Sequence, residues 1–293
     1  MIFRSVSRSS SRSSPGAAPS TRWVDALGLS AFVLITGFSL LLLVAPSLIV
    51  IAVSFEPRAY ISFPPSGFSL KWYQSVFENR QLMDSVQVSL MVSFWVALLC
   101  LALGVPAAFA SIRGTFRAKS GLNAFLLAPQ MMPGMVIGIA TLFFGAYVAF
   151  RASNLMLILA LSVFCLPFVI RITMARLADL DPRLDEASAN LGAGKIETFI
   201  RVTLPQLGPA LLAAAAFTFI EAFDNVTVAL FTSDVRGRPL PVELYYLVQN
   251  DSTPAIAAIS SIEIGLSFVV MLILARTVGL ERLGGSPSKT DKR

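Results

Sequence analysis

The sequence has 293 residues, of which 55% are hydrophobic and only 14% are charged, with a mean hydropathy of +0.73. Soluble domains contain about 25% charged residues, so this composition excludes an ordinary water-soluble protein and indicates one embedded in a lipid bilayer. The net charge of +6 would suit nucleic acid, but the basic residues lie between apolar segments, so no nucleic acid partner is expected. The sequence has no histidine, which excludes histidine metal sites and histidine bases; no metal and no cofactor are expected.

A helix that spans a bilayer needs about 20 mostly apolar residues, and six segments of the sequence meet that requirement. The predicted spans are residues 28–53, 86–112, 122–148, 154–174, 207–231 and 256–277. Prolines and glycines within the second to fourth spans are tolerated when neighbouring helices satisfy the freed backbone groups. The predicted fold is therefore all-α, a polytopic membrane protein with six transmembrane helices. Cys100 and Cys165 lie inside these spans and are interpreted as packing residues.

The positions of lysine and arginine predict the orientation, because cytoplasmic loops carry an excess of both residues. If the two termini lie on one side of the membrane, that side holds 17 of the 23 basic residues and the other side holds six. Both termini are therefore predicted to be cytoplasmic. Residues 1–25 are rich in serine and arginine and contain one acid, Asp25; a disordered cytoplasmic tail is favoured over an organelle transit peptide.

The spans divide the chain into four predicted parts. These are a basic tail at 1–25, a first transmembrane helix with an external loop at 26–85, a core of five helices at 86–278, and a cytoplasmic tail at 279–293. Within the external loop, Pro64-Pro65-Ser66-Gly67 predicts a turn. Leu70-Lys71-Trp72-Tyr73 predicts the start of a helix at the membrane interface, where Trp and Tyr are enriched.

The longest predicted cytoplasmic loop, residues 175–206, joins the fourth and fifth spans, and its residues predict a helix–turn–helix. Asp181-Pro182 is a strong helix start, with a capping residue followed by proline at the first helical position. Gly192 stands where a residue of left-handed conformation would end that helix. A second short helix is predicted from Lys195 toward Leu204-Pro205, leading into the fifth span.

The same loop carries a motif: it reads Glu186-Ala187-Ser188, then Gly192, then Val202 and Leu204-Pro205. This pattern resembles the EAA loop of ABC importer permeases, with Ser188 in place of the second alanine and Val202 in place of isoleucine. The resemblance implies a type I ABC importer permease fold, in which this loop is a coupling helix that docks on a dimer of ATP-binding subunits. A small-residue helix face and a glycine that permits a tight turn suit such docking.

Three further segments resemble the spermidine/putrescine-type permeases of that family. They are Pro129–Gly134 in the third span, Cys165–Val169 in the fourth and Phe223–Val226 in the fifth. The resemblance implies a multi-pass protein of the bacterial inner membrane that works with a second permease subunit. It also implies that a periplasmic substrate-binding protein delivers the cargo.

Gly192-Ala193-Gly194-Lys195 is similar to a phosphate-binding loop but does not match that motif. Ala189 and Ile196 stand where the motif requires glycine and Ser/Thr. The chain is therefore not expected to bind ATP or to be an enzyme, and ATP hydrolysis is expected on a separate subunit.

Three carboxylates lie inside the predicted spans, namely Glu221, Asp224 and Glu263. Each costs about 2.5–3.5 kcal/mol at the bilayer centre, so such residues normally face a bundle interior or a water-filled path. Glu221 and Asp224 share one helix face, because they are three residues apart. One interpretation is a translocation path for cationic cargo; the other is a structural role in helix packing. Asn225 is interpreted as a hydrogen-bonding partner more than as a ligand.

The sequence therefore predicts the permease subunit of an ATP-driven importer for a small, cationic, polyamine-like substrate. One alternative is the same type of importer for another small solute, such as a phosphonate, iron or an amino-acid-like compound. A secondary transporter is the second alternative, but such proteins usually contain inverted repeats, and none is detected. A non-transporting membrane scaffold would leave the three carboxylates unexplained.

Overall fold

The computed structural model describes residues 20–149, 153–234, 237–250 and 253–278, and it contains helices, turns and loops without a strand in these ranges. Most of the predicted N-terminal tail and all of the predicted tail at 279–293 lie outside the described residues. The chain divides into two compact units, residues 1–49 and residues 50–293. In the first unit, the apolar side chains from Leu29 to Leu43 are exposed, as contact with lipid requires.

The helices are described in chain order as α1 to α12. Their bounds are α1 Ser20–Val53, α2 Lys71–Glu78, α3 Arg80–Arg113, α4 Lys119–Leu127, α5 Gly134–Tyr147, α6 Asn154–Asp179, α7 Arg183–Asn190, α8 Lys195–Thr198, α9 Leu204–Phe223, α10 Val226–Thr232, α11 Leu240–Asn250 and α12 Pro254–Val278. A 3₁₀ turn at Ala128–Met131 follows α4, and a π turn at Phe199–Thr203 joins α8 to α9.

Among the described residues, five helical segments are long and apolar enough to cross a membrane: Leu29–Val53, Arg80–Arg113, Asn154–Asp179, Lys195–Phe223 and Pro254–Ile273. A sixth span results if Lys119–Met131 and Gly134–Tyr147 are counted as one bent segment. The prediction of an all-α membrane protein with up to six spans is confirmed. The second and fourth spans extend several residues beyond their predicted bounds, and the fifth begins earlier than predicted, because polar residues continue these helices.

The predicted third span, 122–148, is wrong as a single helix. Its two halves meet at an angle of 102° on either side of Met132 and Pro133. Met132 is extended, with φ −93° and ψ 136°, because proline disfavours the helical conformation of the residue before it. Pro129 and Pro133 therefore produce a broken span or a re-entrant loop.

The predicted fifth span, 207–231, is likewise interrupted. The helix begins earlier, at Lys195, and α9 ends at Phe223, before Asp224 and Asn225. A separate short helix, α10, then begins at Val226. The two candidate site residues Asp224 and Asn225 thus lie at a helix break and not within a continuous helix.

The core of the second unit lies between α3, α6 and α9. On α3, Val92, Val96 and Cys100 form a buried stripe at a spacing of four residues, which places them on one helix face. Gly104 allows α6 to approach closely, since a Cβ atom at this position would lie 2.9 Å from Cγ1 of Val169. Cys100 and Cys165 are buried and free, in agreement with their prediction as packing residues.

The loop between α1 and α3 is ordered around a buried carboxylate, that of Glu56, which is 0% exposed. Glu56 accepts hydrogen bonds from the Ser62 and Ser66 hydroxyls and from the backbone N–H groups of Ser66 and Arg58. The Ser62 hydrogen bond, followed by that of Ser66, lowers the pKa of Glu56 from 4.5 to about 2. The Trp72 indole N–H donates to the backbone oxygen of Glu56 at 2.7 Å, an internal role that the sequence did not indicate.

Candidate functional site: a helix–turn–helix loop and carboxylates within the spans

The predicted helix–turn–helix at one end of the second unit begins with α7. The Asp181 side chain accepts a hydrogen bond from the backbone N–H of Arg183 at 2.9 Å. Pro182 already has helical angles, φ −60° and ψ −24°, so Asp181 caps the helix and Pro182 opens it, as predicted. Asp185 and Glu186 lie in the first turn, where the helix dipole favours negative charge.

Gly192 ends α7 in a Schellman motif. Its φ is +87°, in the left-handed region that glycine adopts without steric cost. The backbone N–H of Gly192 donates to Ala189 at 2.9 Å, and that of Ala193 donates to Ser188 at 3.2 Å. These are the two hydrogen bonds that define this type of helix end. The prediction that Gly192 has a left-handed conformation is confirmed.

The remaining motif residues lie where the loop enters the long helix α9. Val202 belongs to the π turn, and Leu204 and Pro205 are the first residues of α9. Proline in a helix removes one backbone hydrogen bond and crowds the carbonyl four residues earlier. The π turn ends at Thr203, so the carbonyl of Arg201, four residues before Pro205, belongs to this wider helical geometry.

Three polar contacts hold the loop in place, and none of them was predicted from the sequence. The Ser188 and Thr198 hydroxyls are hydrogen-bonded at 3.0 Å, which joins α7 to α8. Asp185 pairs with Arg113 of α3 at 3.5 Å and accepts from the Thr203 hydroxyl at 3.1 Å. The acidic partner of Arg113 is 72 residues away, so no local pattern reveals the contact.

The loop presents an exposed surface of mixed character. Glu186 and Ala187 are exposed, and so are the apolar side chains Leu191 and Ile196, at 89% and 76%. Exposed apolar side chains in an ordered segment commonly mark an interaction surface. The arrangement is suited to receiving a partner protein.

The structure brings the three carboxylates of the spans into one region. Glu221 lies near the end of α9, Asp224 follows that helix, and Glu263 lies on α12, which packs against α9. Asp224 lies within the range of electrostatic interaction of both Glu221 and Glu263. Glu221 and Glu263 are half-buried, whereas Asp224 is exposed. The ion pairs found among the described residues involve none of the three.

Asn225 has a structural role in this region. Its buried side-chain oxygen accepts from the backbone N–H of Val228 at 2.9 Å and from the Thr227 hydroxyl at 3.3 Å. It is therefore the N-cap of α10, which fixes the helix break beside Asp224. This agrees with its interpretation as a hydrogen-bonding residue.

A further acidic residue, Glu243, was missed by the sequence interpretation. It lies in the first turn of α11 and is 5% exposed. Gln81 of α3 donates to one of its carboxylate oxygens at 2.6 Å. Glu243 occurs in a short helix outside the predicted spans, so neither its place in a membrane span nor a motif distinguishes it. No group of three potential metal ligands is found in the part of the chain that the structure describes.

A bundle of long apolar helices, with an ordered polar loop at one end and carboxylates within its spans, defines a polytopic membrane transport component. Residues 100–278 match the family model described as "Binding-protein-dependent transport system inner membrane component", and the chain belongs to this family.

Two curated relatives cover most of the chain. The spermidine/putrescine transport system permease protein PotC of Haemophilus influenzae is 30% identical over 78% of this chain and 88% of its own length. The putrescine transport system permease protein PotI of Escherichia coli is 28% identical over 83% of this chain and 90% of its own length.

A solved structure shares the fold. It belongs to a bacterial ABC transporter involved in the import of the acidic polysaccharide alginate, with a TM-score of 0.67 and 15% identity over 90% of this chain and 99% of that one. The type I ABC importer permease fold is thereby confirmed. The chain is a transport subunit and not an enzyme.

Proposed function

We propose that this chain is the permease subunit of an ATP-driven importer that moves a small, polyamine-like cation into the cytoplasm. The cationic cargo is inferred from the position of three carboxylates, those of Glu221, Asp224 and Glu263, which lie near the break between α9 and α10. None of these carboxylates has an ion-pair partner among the described residues. Fixed negative charge in a region of low dielectric attracts a cation far more strongly than it would in water.

The energy source in this proposal is a separate ATPase dimer that docks on the loop at 183–205. Support comes from the exposed side chains Leu191 and Ile196 and from the rigid turn at Gly192. A periplasmic binding protein delivers the cargo, and a second permease subunit completes the path. The loop faces the cytoplasm, as do both termini, because this orientation places 17 of the 23 basic residues inside.

The relatives named for spermidine and putrescine transport support the same cargo class, because polyamines carry several ammonium groups. An importer of another small solute, such as an anionic phosphonate, is the alternative. Three clustered carboxylates would repel an anion, which favours the cationic cargo.

Neutral isosteres of the three carboxylates test the proposed path. Glu221→Gln, Asp224→Asn and Glu263→Gln remove the charge and nearly keep the shape. We expect at least one of them to lower the maximal rate of labelled spermidine uptake about tenfold, since loss of a charged contact is worth about 1.5–3 kcal/mol. Uptake is measured in proteoliposomes that contain the complete transporter, and assembly and basal ATP hydrolysis are expected to persist.

The matched control is Glu78→Gln, which neutralises an exposed acid outside the spans and should not alter uptake. If all three neutral variants transport spermidine at the unaltered rate, the carboxylates are structural and the proposed path is wrong.

A further inference from the structure

A polar cavity of about 460 Å³ lies at the end of the second unit opposite the helix–turn–helix loop. Its lining includes Arg80, Gln81 and Asp84 from the start of α3, and Arg238 and Glu243 from the segment around the start of α11. Helix α3 has 34 residues and is therefore about 50 Å long. The loop contacts its last residue, Arg113, so the cavity and the loop are far apart. In the proposed orientation the cavity opens on the side from which cargo arrives.

Glu243 is the buried acid of this cavity, and one of its oxygens is incompletely satisfied. Its Oε1 accepts the hydrogen bond from Gln81, whereas its Oε2 is buried and has no hydrogen-bond partner among the residues that the structure describes. Among the described residues, the cationic atom paired with this oxygen is Nη1 of Arg238, at 3.7 Å, which is beyond hydrogen-bonding distance. A buried carboxylate oxygen without a hydrogen bond carries an energetic cost, which a ligand able to donate would relieve.

Arg238 occupies the place where such a donor would bind. Its guanidinium carbon lies 4.3 Å from the ring centroid of Tyr246, one helical turn beyond Glu243 on α11. A carboxylate beside an aromatic ring is a typical site for an organic cation, because the charge and the ring face both attract it. The Arg238 guanidinium therefore lies where a cation bound between the Glu243 carboxylate and the Tyr246 ring would lie.

The position of Glu243 is fixed by the packing of α11 against α3. The Ser89 hydroxyl of α3 accepts the backbone N–H of Leu240 at 2.8 Å, which fixes the start of α11 against α3. Glu243 lies in the first turn, where the helix dipole favours a carboxylate. Arg80 and Asp84 also line the cavity, so its described lining carries two acids and two arginines. Movement of Arg238 toward solvent would leave that described lining with excess negative charge.

We propose that Glu243 and Tyr246 form an entry site for a primary ammonium group of the cargo, and that this group displaces Arg238 from it. The inference rests on the proposed function, since it requires a cationic cargo. Glu243 Oε2 accepts a hydrogen bond from the ammonium, the Tyr246 ring covers it, and Gln81 keeps the carboxylate oriented.

Single neutral substitutions on the two sides of the ion pair test the site, because the two residues have opposite roles. Glu243→Gln removes the carboxylate that binds the ammonium group and should lower the maximal rate of spermidine uptake about tenfold. Arg238→Gln removes the competing cation and should leave uptake equal to or above that of the unaltered protein. The double variant should be as slow as Glu243→Gln alone. Rates are measured in proteoliposomes with the complete transporter and are normalised to the amount of assembled complex, with Glu78→Gln as the control.

A structural ion pair would give a different pattern: both single variants would lose activity equally, and the double variant would recover it. Loss in Arg238→Gln alone would indicate that the cavity binds an anion. Either pattern overturns the proposed site, as does unchanged uptake in Glu243→Gln. If the unaltered complex takes up no spermidine, the proposed function itself fails; if it does and Glu243→Gln matches it, only the entry site is wrong.

Discussion

Glu56 is a carboxylate whose role depends on how many donors surround it. A buried charge is costly unless hydrogen bonds replace its hydration, and the hydroxyls of Ser62 and Ser66 and two backbone N–H groups supply them here. The same residue organises the loop through its backbone oxygen, which holds the Trp72 indole. Glu56 is therefore a structural residue, in contrast to Glu243, whose Oε2 accepts no hydrogen bond from the described residues.

The depressed pKa of Glu56 predicts an acid-dependent transition of this loop. Its pKa falls from 4.5 to about 2 in the folded loop, so the unfolded loop binds more protons between these values. The stabilisation is fully present above pH 4.5 and is lost as the pH falls toward 2. Trp72 fluorescence reports the transition in a Trp23→Phe, Trp95→Phe background, where Trp72 is the one remaining tryptophan.

The Glu56→Gln variant is the control, and it should not show this transition because residue 56 then carries no titrating carboxyl group. A transition in the parent centred well above pH 4.5, or an identical titration of the variant, would contradict the assigned role of Glu56.

At the scale of the element, the helix–turn–helix loop was predicted accurately because its determinants are local. The Asp181 cap, the Pro182 start and the Gly192 stop act on residues within one turn. The bend at Pro133 and the helix end before Asn225 also have local causes, yet the hydropathy pattern extends across them. An apolar run predicts that a segment enters the membrane, but it does not predict that its helix is continuous.

Gly192→Val is expected to abolish transport without preventing membrane insertion. At φ +87°, a β-branched residue is strained, at a cost of about 1–3 kcal/mol, and the Schellman hydrogen bonds would be lost. A Cβ at this position meets no atom within 4 Å, so the expected defect arises from the backbone and not from a clash. The measurement is ATP-driven uptake by the reconstituted transporter, together with the amount of assembled complex.

Gly194→Val is the matched control for that variant. Gly194 has φ −72° and ψ 163°, which any residue adopts, and its Cβ would also meet open space. Uptake should therefore persist in the Gly194 variant. Equal defects in the two variants would indicate that side-chain bulk on the loop surface matters, and that the positive φ does not.

At the scale of the whole molecule, contacts between distant residues were the part that the sequence could not predict. Gln81 and Glu243 are separated by 162 residues, and the link between Arg113 and Asp185 similarly joins two separate elements. The carboxylates of the spans were identifiable from the sequence because acids are rare in apolar segments. Their convergence around Asp224 required the packing of α9 against α12.

The orientation predicts the behaviour of reporter fusions. A reporter that is active only outside the cytoplasm should be active when fused after Arg151 or Arg238, and silent after Lys119 or Lys195. Arg113 pairs with Asp185 of the loop that also contains Lys195. These two basic residues therefore belong to the same end of the second unit, as the predicted orientation requires. The reverse pattern at either pair of sites would contradict the orientation derived from the charge distribution.

The most direct test of the central claim is uptake of labelled spermidine by proteoliposomes that contain this chain, its partner permease and the ATPase subunits, with the binding protein outside. We expect uptake that requires ATP and that excess unlabelled putrescine or spermidine suppresses, whereas excess sulfate does not, because the carboxylates of the spans attract cations. Uptake driven by an ion gradient without the ATPase subunits, or uptake of sulfate in place of spermidine, would contradict the assignment of a cation importer.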